Sequence, residues 1–337
     1  MSGTYCAFVI VIFCMPLWQF RRDLNVLTGS IGSLLQADRS RMHETIPVTS
    51  RDELGQLTGA FNELQASVYR EYDELDKRMR LAYNIQQKLL PQKEPAVEGL
   101  EVASMCRQCR EVGGDFYDCL AFGSSRLAIA IGDVTGKGMP AALLMSAVMV
   151  LWRTEMLKGG SSEEVMTRVN RSLYETLQGE LFVTMGLAVF DMKERTVDYA
   201  SAGHMAPYLL REGELQALPV SSLPLGMDPD RQYRGTAYAL QPGDAWVLYT
   251  DGIIEAWDEQ DRMFGFERWE QLLRGLDGTV PLERQLRILT DRLPEMHADS
   301  SGDDRTVVCV RFHGREEAVC KETVSGDRYN VDNVKTW

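Results

Sequence analysis

The sequence IGDVTGKG at residues 131–138 decides the fold class, because it joins a strand to a helix through an acidic, glycine-rich turn. The apolar run Leu127–Ile131 is typical of a buried strand. Met139–Leu157 follows a helical pattern with proline in its first turn. The turn mimics a nucleotide-binding loop, but three residues separate its first two glycines where that loop has four. We therefore interpret Asp133 as the functional residue of this turn.

Three further turns place aspartate and glycine beside apolar runs. They are VGGDFYD at residues 112–118, YTDG at residues 249–252 and SGDDRT at residues 301–306. Each turn alone is ordinary loop chemistry, since Asp and Gly are common turn residues. Asp133 and Asp251 follow strands, whereas Asp115 and Asp303 precede them. Because the end of one antiparallel strand adjoins the start of its neighbour, we expect the four carboxylates to gather at one edge of one sheet.

Gathered carboxylates repel one another, and a divalent cation removes that cost. Ligand sets made only of oxygen favour magnesium, manganese or calcium over zinc or copper. The four histidines lie outside the acidic turns; they are His43, His204, His297 and His313. A Cys-x-x-Cys pair begins at Cys106, but the chain lacks the second pair that a zinc ribbon needs. The sequence therefore predicts a site for hard cations.

Alternation of short apolar runs and turns continues to residue 312. Further strands are predicted at Val183–Phe190, Thr196–Ala200, Ala245–Tyr249 and Thr306–Phe312. A second helix is predicted at Ser162–Leu177. Residues 315–337 are polar and predict a loose tail.

The first twenty residues are interpreted as a membrane helix. Residues 5–20 read YCAFVIVIFCMPLWQF, and the basic pair Arg21 and Arg22 follows on what would be the cytoplasmic side. A signal peptide fits less well, because no basic region precedes the apolar run and no small-residue cleavage site follows it. A buried helix is the other interpretation. We expect a single pass through the cell inner membrane, with the rest of the chain cytoplasmic.

A coiled-coil seam follows in the next segment. Its apolar residues step by three and four through Leu54, Leu57, Phe61, Leu64 and Val68. A second step of four to Tyr72 is a stutter, which locally unwinds a supercoil. The seam then resumes through Leu75, Met79, Ala82, Gln86 and Leu89.

Residues 21–70 resemble a HAMP module. The resemblance rests on Pro16 in the entering helix, a connector to about Pro47, and the DELG opening of the second helix at residues 52–55. Such modules are parallel homodimers that pass a signal from the membrane to an output domain, here through a coiled-coil linker at residues 71–93. A generic dimeric coiled coil is the alternative.

The stretch from Ile85 to Phe312 resembles the SpoIIE/RsbU-type branch of the PPM metal-dependent protein phosphatases. The matching motifs are QKLLP at 87–91, GGDFYD at 113–118, GDVTGKG at 132–138, AGH at 202–204, LG at 225–226, YTDG at 249–252 and DDRT at 303–306. The resemblance implies an α+β fold, an αββα sandwich of two antiparallel sheets flanked by helices, at residues 94–314. It also implies a centre of two Mn²⁺ or Mg²⁺ ions.

The resemblance also implies roles for individual residues. Asp133 would be shared between the two metals, and the Val134 carbonyl would be a further ligand. The remaining ligands would be Asp115, Asp251 and Asp303, with Asp304 in reserve for Asp303. Asp133 and Asp251 would be the catalytic pair. Further candidates are Asp118 and a general acid at His204, for which a structural role is the alternative.

The activity implied is hydrolysis of phosphoserine or phosphothreonine by metal-activated water. The substrate implied is a phosphorylated STAS-type anti-sigma-factor antagonist. A catalytically silent scaffold is one alternative, although every expected aspartate is present. A sensor kinase would need a histidine after the HAMP-like module, and residues 65–100 contain none. The net charge of −13 argues against a nucleic-acid partner.

Overall fold

The computed structural model describes residues 18, 20–22, 24–32, 45–48, 52–109, 112–123, 125–258, 260–295 and 302–314. The chain divides into two compact units with the boundary between Leu81 and Ala82. The predicted membrane helix lies outside the described residues apart from residues 18 and 20, and the predicted polar tail lies outside them entirely.

The first unit is helical. It contains α1, whose described helical residues are 18, 20–22 and 24–32, and most of α2, which spans Glu53–Leu89 and continues into the second unit. The Asp52 carboxylate accepts hydrogen bonds from the first free amides of α2, those of Leu54 and Gly55, and so caps the helix. The side-chain amide of Asn62 bonds both the N–H and the C=O of Ile46, at 3.0 and 2.8 Å, which attaches residues 45–48 to α2.

The described residues of the second unit form ten strands and four helices in addition to the end of α2. The strands are β1 Leu100–Arg107, β2 Phe116–Phe122, β3 Arg126–Val134, β4 Val183–Asp191, β5 Thr196–Ala202, β6 Tyr208–Arg211, β7 Glu214–Ala217, β8 Gly235–Ala239, β9 Ala245–Tyr249 and β10 Arg305–Phe312. The helices are α3 Met139–Leu157, α4 Ser162–Leu177, α5 Gly265–Leu273 and α6 Leu282–Thr290.

The strands form two five-stranded antiparallel sheets that face each other. The first has the order β1-β10-β9-β6-β7, and the second has the order β2-β3-β4-β5-β8. Trp246 on β9 packs edge-on against Phe190 on β4, which places a large aromatic contact between the sheets. Helices α3 and α4 pack on the second sheet and α6 packs on the first. Trp269 of α5 packs on Tyr249 of the first sheet.

Helix α3 is apolar because it belongs to the core. Of the described helices it is the one long and apolar enough to cross a membrane by length and composition, and half of it is buried in the protein. Met145, Val148 and Trp152 are fully buried. The burial explains the composition.

The predicted fold is confirmed: two antiparallel sheets are flanked by helices. Both predicted helices of this unit have the predicted bounds: α3 has Pro140 in its first turn, and α4 begins at a capping box formed by Ser161 and Glu164. One expectation was wrong. The four acidic turns do not share one sheet, since β2 and β3 belong to the second sheet while β9 and β10 belong to the first. Local patterns identify strands but not which strands pair, and here the ends of two sheets meet instead.

Candidate metal centre

Both sheets contribute acidic turns to the same end of the sandwich. Asp115 directly precedes β2, and Asp133 is the second-last residue of β3. Asp251 lies two residues after β9, and Asp303 lies two residues before β10. The Thr250 hydroxyl donates to Oδ2 of Asp115 over 2.7 Å, and this bond joins the two sheets. The structure therefore brings the four predicted turns together.

Glycine permits close backbone approach at two points of this end. A Cβ on Gly114 would lie 2.8 Å from the carbonyl oxygen of Val134 and 3.0 Å from Oδ1 of Asp133. A Cβ on Gly252 would lie 1.9 Å from the carbonyl oxygen of Asp304. Any side chain there would push the turns apart, so these positions require glycine.

Asp115 is the most deeply buried of the four acids, with 1% of its surface exposed. Its Oδ2 accepts hydrogen bonds from the hydroxyls of Thr250 and Thr306, at 2.7 and 2.8 Å. Burial, and then the neighbouring carboxylates of Asp133 and Asp304, raise the pKa of Asp115 well above its usual range. The two hydroxyl donors favour the ionised form but do not offset these effects.

Asp133 has its pKa raised to about 8, first by burial and then by the charges of Asp251 and Asp303. The pKa of Asp251 is raised in the same way, by burial and then by Asp303. Carboxyl groups that raise one another's pKa in this manner form one electrostatic group. A bound cation would stabilise their ionised forms.

Asp303 lies at the more exposed edge of the group. Its Oδ2 is 3.2 Å from Nζ of Lys137, and that ammonium also donates to the carbonyl oxygen of Gly302 over 2.8 Å. The two side chains of the pair are 39% and 41% exposed, so the pair contributes little stability. A divalent cation could therefore replace Lys137 as the partner of Oδ2 of Asp303.

Asp304 is engaged differently from its neighbour. It is 8% exposed, and its carboxylate accepts hydrogen bonds from three backbone amides. Oδ1 accepts from Cys109 at 2.8 Å, and Oδ2 accepts from Gly114 at 2.8 Å and Asp115 at 3.3 Å. These bonds favour Asp303 over Asp304 as the direct ligand, although the ligand assignment itself stays a prediction.

The two further candidates lie in structural positions. Asp118 is buried and pairs with Arg153 on α3, whose Nη2 is 2.7 Å from Oδ1. His204 is buried, and its Nδ1 lies 3.0 Å from the hydroxyl of Thr184. Burial lowers the pKa of His204 to about 4, so the imidazole is neutral near pH 7. A neutral ring favours the structural alternative for His204 over the general-acid role.

The donor chemistry of this end fits hard divalent cations, because the side chains offer buried, negatively charged oxygens and the Val134 carbonyl lies beside them. As they stand, no three His, Cys, Asp or Glu side chains of the described residues surround one point closely enough to hold an ion. Asp303 faces Lys137 and Asp304 faces backbone amides.

Four polar residues of this end had no predicted role. Thr250 and Thr306 hold Asp115, Lys137 contacts Asp303, and Gln86 bonds the turn before Asp115. Thr250, Thr306 and Lys137 lie inside the motifs YTDG, DDRT and GDVTGKG, so the sequence could have identified them as residues of the site. Gln86 was assigned to the coiled-coil seam, and nothing local distinguished it from a seam residue.

Comparison with known proteins agrees with this architecture. Residues 123–313, more than half of the chain, match the family described as Stage II sporulation protein E (SpoIIE). The chain is 28% identical to Phosphoserine phosphatase RsbU of Bacillus subtilis over 242 residues, covering 71% of each protein. It is 26% identical to Phosphoserine phosphatase RsbP of the same bacterium over 241 residues, covering 69% of this chain and 57% of RsbP.

A solved structure shows the same fold. The SiaA-PP2C domain of Pseudomonas aeruginosa superposes with a TM-score of 0.63 at 24% identity, covering 72% of this chain and 98% of that domain. Fold and relatives together define the class of the second unit, which is a PP2C-type protein phosphatase domain. The chain belongs to the SpoIIE family.

Proposed function

We propose that the chain is a Mn²⁺- or Mg²⁺-dependent phosphatase of bacterial signal transduction, acting on phosphoserine or phosphothreonine of a regulatory protein. The observation that carries this proposal is the convergence of Asp115, Asp133 and Asp251, all with raised pKa values, at one end of a SpoIIE-family domain. The relatives RsbU and RsbP are named as phosphoserine phosphatases, which supports the substrate class. For the substrate itself we propose a phosphorylated STAS-type anti-sigma-factor antagonist.

When bound, two divalent ions would activate water for attack on phosphorus and offset the charge of the phosphoryl oxygens. The chain's own residues hold the ligands in place. Thr250 and Thr306 fix Oδ2 of Asp115 and so orient Oδ1 of that carboxylate. The Asp304 carboxylate accepts hydrogen bonds from the amides of Gly114 and Asp115 and so fixes the turn that carries Asp115. No side-chain nucleophile is needed, and Cys309 is buried inside β10.

The proposal predicts phosphate release that depends on added metal. The full chain should dephosphorylate candidate STAS-type phosphoproteins from the same genome when Mn²⁺ is present, and EDTA should abolish the reaction. A chromogenic phosphate ester provides a second substrate that needs no docking. Tight binding of a phosphoprotein without phosphate release, with or without Mn²⁺, would instead identify a silent scaffold.

We further propose that a membrane helix and a dimeric HAMP-like module control the phosphatase. The attachment of Ile46 to Asn62 supports a connector that packs on the second helix of such a module. Leu57, Leu64 and Leu75 on the α2 seam are each more than half exposed, as expected for residues that pair with a second copy. The stutter between Val68 and Tyr72 would transmit a rotation of α2 toward the phosphatase domain.

Changes in helix length at the stutter test this control. Inserting one alanine after Val68 rotates the following helix by about 100°, whereas inserting seven returns it to within about 20° of its original phase. We expect metal-dependent activity to change at least several-fold with one or two added residues and to recover with seven. Activity measured in membranes across the insertion series, and insensitive to its length, would contradict control through α2.

A further inference from the structure

A surface cavity of about 400 Å³ lies at the edge of the first sheet, between the end of β1, the start of β10 and the segment that follows α6. Two arginines line it. Arg107 is the last residue of β1, and Arg305 is the first residue of β10. The roles considered so far for the acidic turns involve neither side chain.

The two arginines lie directly opposite each other on neighbouring strands. Arg107 and Arg305 are partners in the antiparallel register of β1 and β10, so their side chains leave the same face of the sheet about 5 Å apart at Cβ. Both guanidinium groups are charged at any physiological pH. Like charges in directly opposite positions destabilise a sheet, and an anion bound between them would remove that cost.

Arg305 is held firmly but has unused donors. Its side chain is buried, with 5% of the residue exposed, and Nη1 donates to the carbonyl oxygen of Pro294 over 2.6 Å. Nε is buried, and neither it nor Nη2 has a hydrogen-bond partner in the described part of the chain. A buried donor without a partner is costly. The planar guanidinium is the group that best matches the oxygens of a phosphate.

Two acidic side chains also line the cavity, those of Asp291 and Glu295. Both residues are exposed, so water and salt screen their charges. Among the described residues neither acid forms an ion pair with Arg107 or Arg305. The buried charge of Arg305 is screened much less, and the cavity therefore favours an anion beside the two arginines.

The cavity is separate from the candidate metal centre, although both lie at the same end of the sandwich. Thr306, which follows Arg305, donates to Oδ2 of Asp115 over 2.8 Å. Because successive side chains of a strand point to opposite faces, Arg305 points away from Asp115.

We propose that Arg107 and Arg305 form a second, metal-independent site that binds a phosphate group, as free inorganic phosphate or as the phosphate of a phosphorylated side chain. The guanidinium of Arg305, fixed through Pro294, provides the buried donors, and Arg107 provides a second charge at the rim. The site needs no bound metal, so it goes beyond the proposed phosphatase activity and does not depend on it.

Thermal unfolding of the full chain in EDTA tests this site, with sodium phosphate compared against sodium chloride at equal ionic strength. Phosphate should raise the melting temperature of wild type by about 2 °C or more, since a ligand of the folded state stabilises it. In Arg107→Gln and Arg305→Met this rise should disappear, because the Kd for phosphate increases at least about tenfold. Arg292→Gln is the matched control and should behave as wild type, since Arg292 is an exposed arginine of the same segment and lies outside the cavity lining.

Arg107→Gln also covers the case in which Arg305→Met fails to fold. Without phosphate it should melt no lower than wild type, because it removes one of two facing like charges. A purely structural role for Arg107 would lower the melting temperature instead and would count against the site.

O-Phosphoserine, titrated in the same way, distinguishes the two sources of the phosphate group. A rise in melting temperature with phosphoserine alone would assign the site to a phosphorylated side chain, and a rise with inorganic phosphate would show that the free ion suffices. An equal response of all four proteins, or no response to either probe, would overturn the assignment. The measurement involves no turnover, so that result would leave the proposed function standing, and a failure of the metal-dependent assay would leave this site standing.

Discussion

Replacing Asp133 by Asn is expected to lower phosphatase activity by about a thousandfold or more while the fold stays intact. The charge of Asp133 raises the pKa of Asp115, and the charges of Asp251 and Asp303 raise the pKa of Asp133 in turn. An amide keeps the shape of the side chain but not the charge that would bind cations. The measurements are kcat/KM with Mn²⁺ and calorimetric uptake of Mn²⁺, with circular dichroism to check the fold.

Asp230→Asn is the matched control, because Asp230 is an exposed aspartate in a loop outside the acidic turns. It should retain wild-type activity and metal uptake. Full activity in the Asp133→Asn variant would refute the role assigned to this carboxylate.

The Asp133→Asn variant should also differ from wild type in how its stability depends on pH. The folded chain raises the pKa of Asp133 from 3.8 to about 8, so the folded state binds a proton that the unfolded state releases. Without metal, the contribution of Asp133 to stability is therefore fully present below about pH 4 and is lost as the pH rises through 8. In EDTA at pH 8 the variant should melt at least about 3 °C above wild type, and the difference should shrink toward pH 4. Equal pH dependence in both proteins would contradict this electrostatic account.

The sequence best predicts those features of the fold that the residues of a single helix or strand determine. The bounds of α3 and α4 were predicted from their helical patterns and from the proline in the first turn of α3, and in the structure Ser161 and Glu164 form a capping box at the start of α4. Strands such as β4 and β10 are apolar because both faces are covered. The weaker strands β7 and β8 are mostly exposed, and their polar sequences gave no pattern to recognise.

Pairing between distant elements could not be predicted in the same way. The acidic turns were identified one by one, but the bond from Thr250 to Asp115 joins residues 135 positions apart. Gln86 matched the seam of α2 and bonds Gly113 instead, because burial against the domain took precedence over helix pairing at that turn. The choice between Asp303 and Asp304 depends on which backbone amides lie near, and only a folded chain provides them.

Asp304 and Asp303 are adjacent in sequence but should respond to substitution in opposite ways. Asp304→Ala removes the acceptor of three backbone amides, two of which belong to Gly114 and Asp115. We expect the free energy of unfolding to fall by about 3 kcal/mol or more, since each buried amide left unpaired is costly. Chemical denaturation in EDTA measures this loss without any contribution from bound metal.

Asp303→Asn is the matched comparison at the neighbouring position. The Asp303 pair with Lys137 is about 40% exposed and weak, so the melting temperature in EDTA should stay within about 2 °C of wild type. Its Mn²⁺ affinity should fall at least about tenfold, a loss seen even for residues that only orient a ligand. The reverse pattern, with stability lost in Asp303→Asn and metal affinity lost in a stable Asp304→Ala, would exchange the two roles and make Asp304 the ligand.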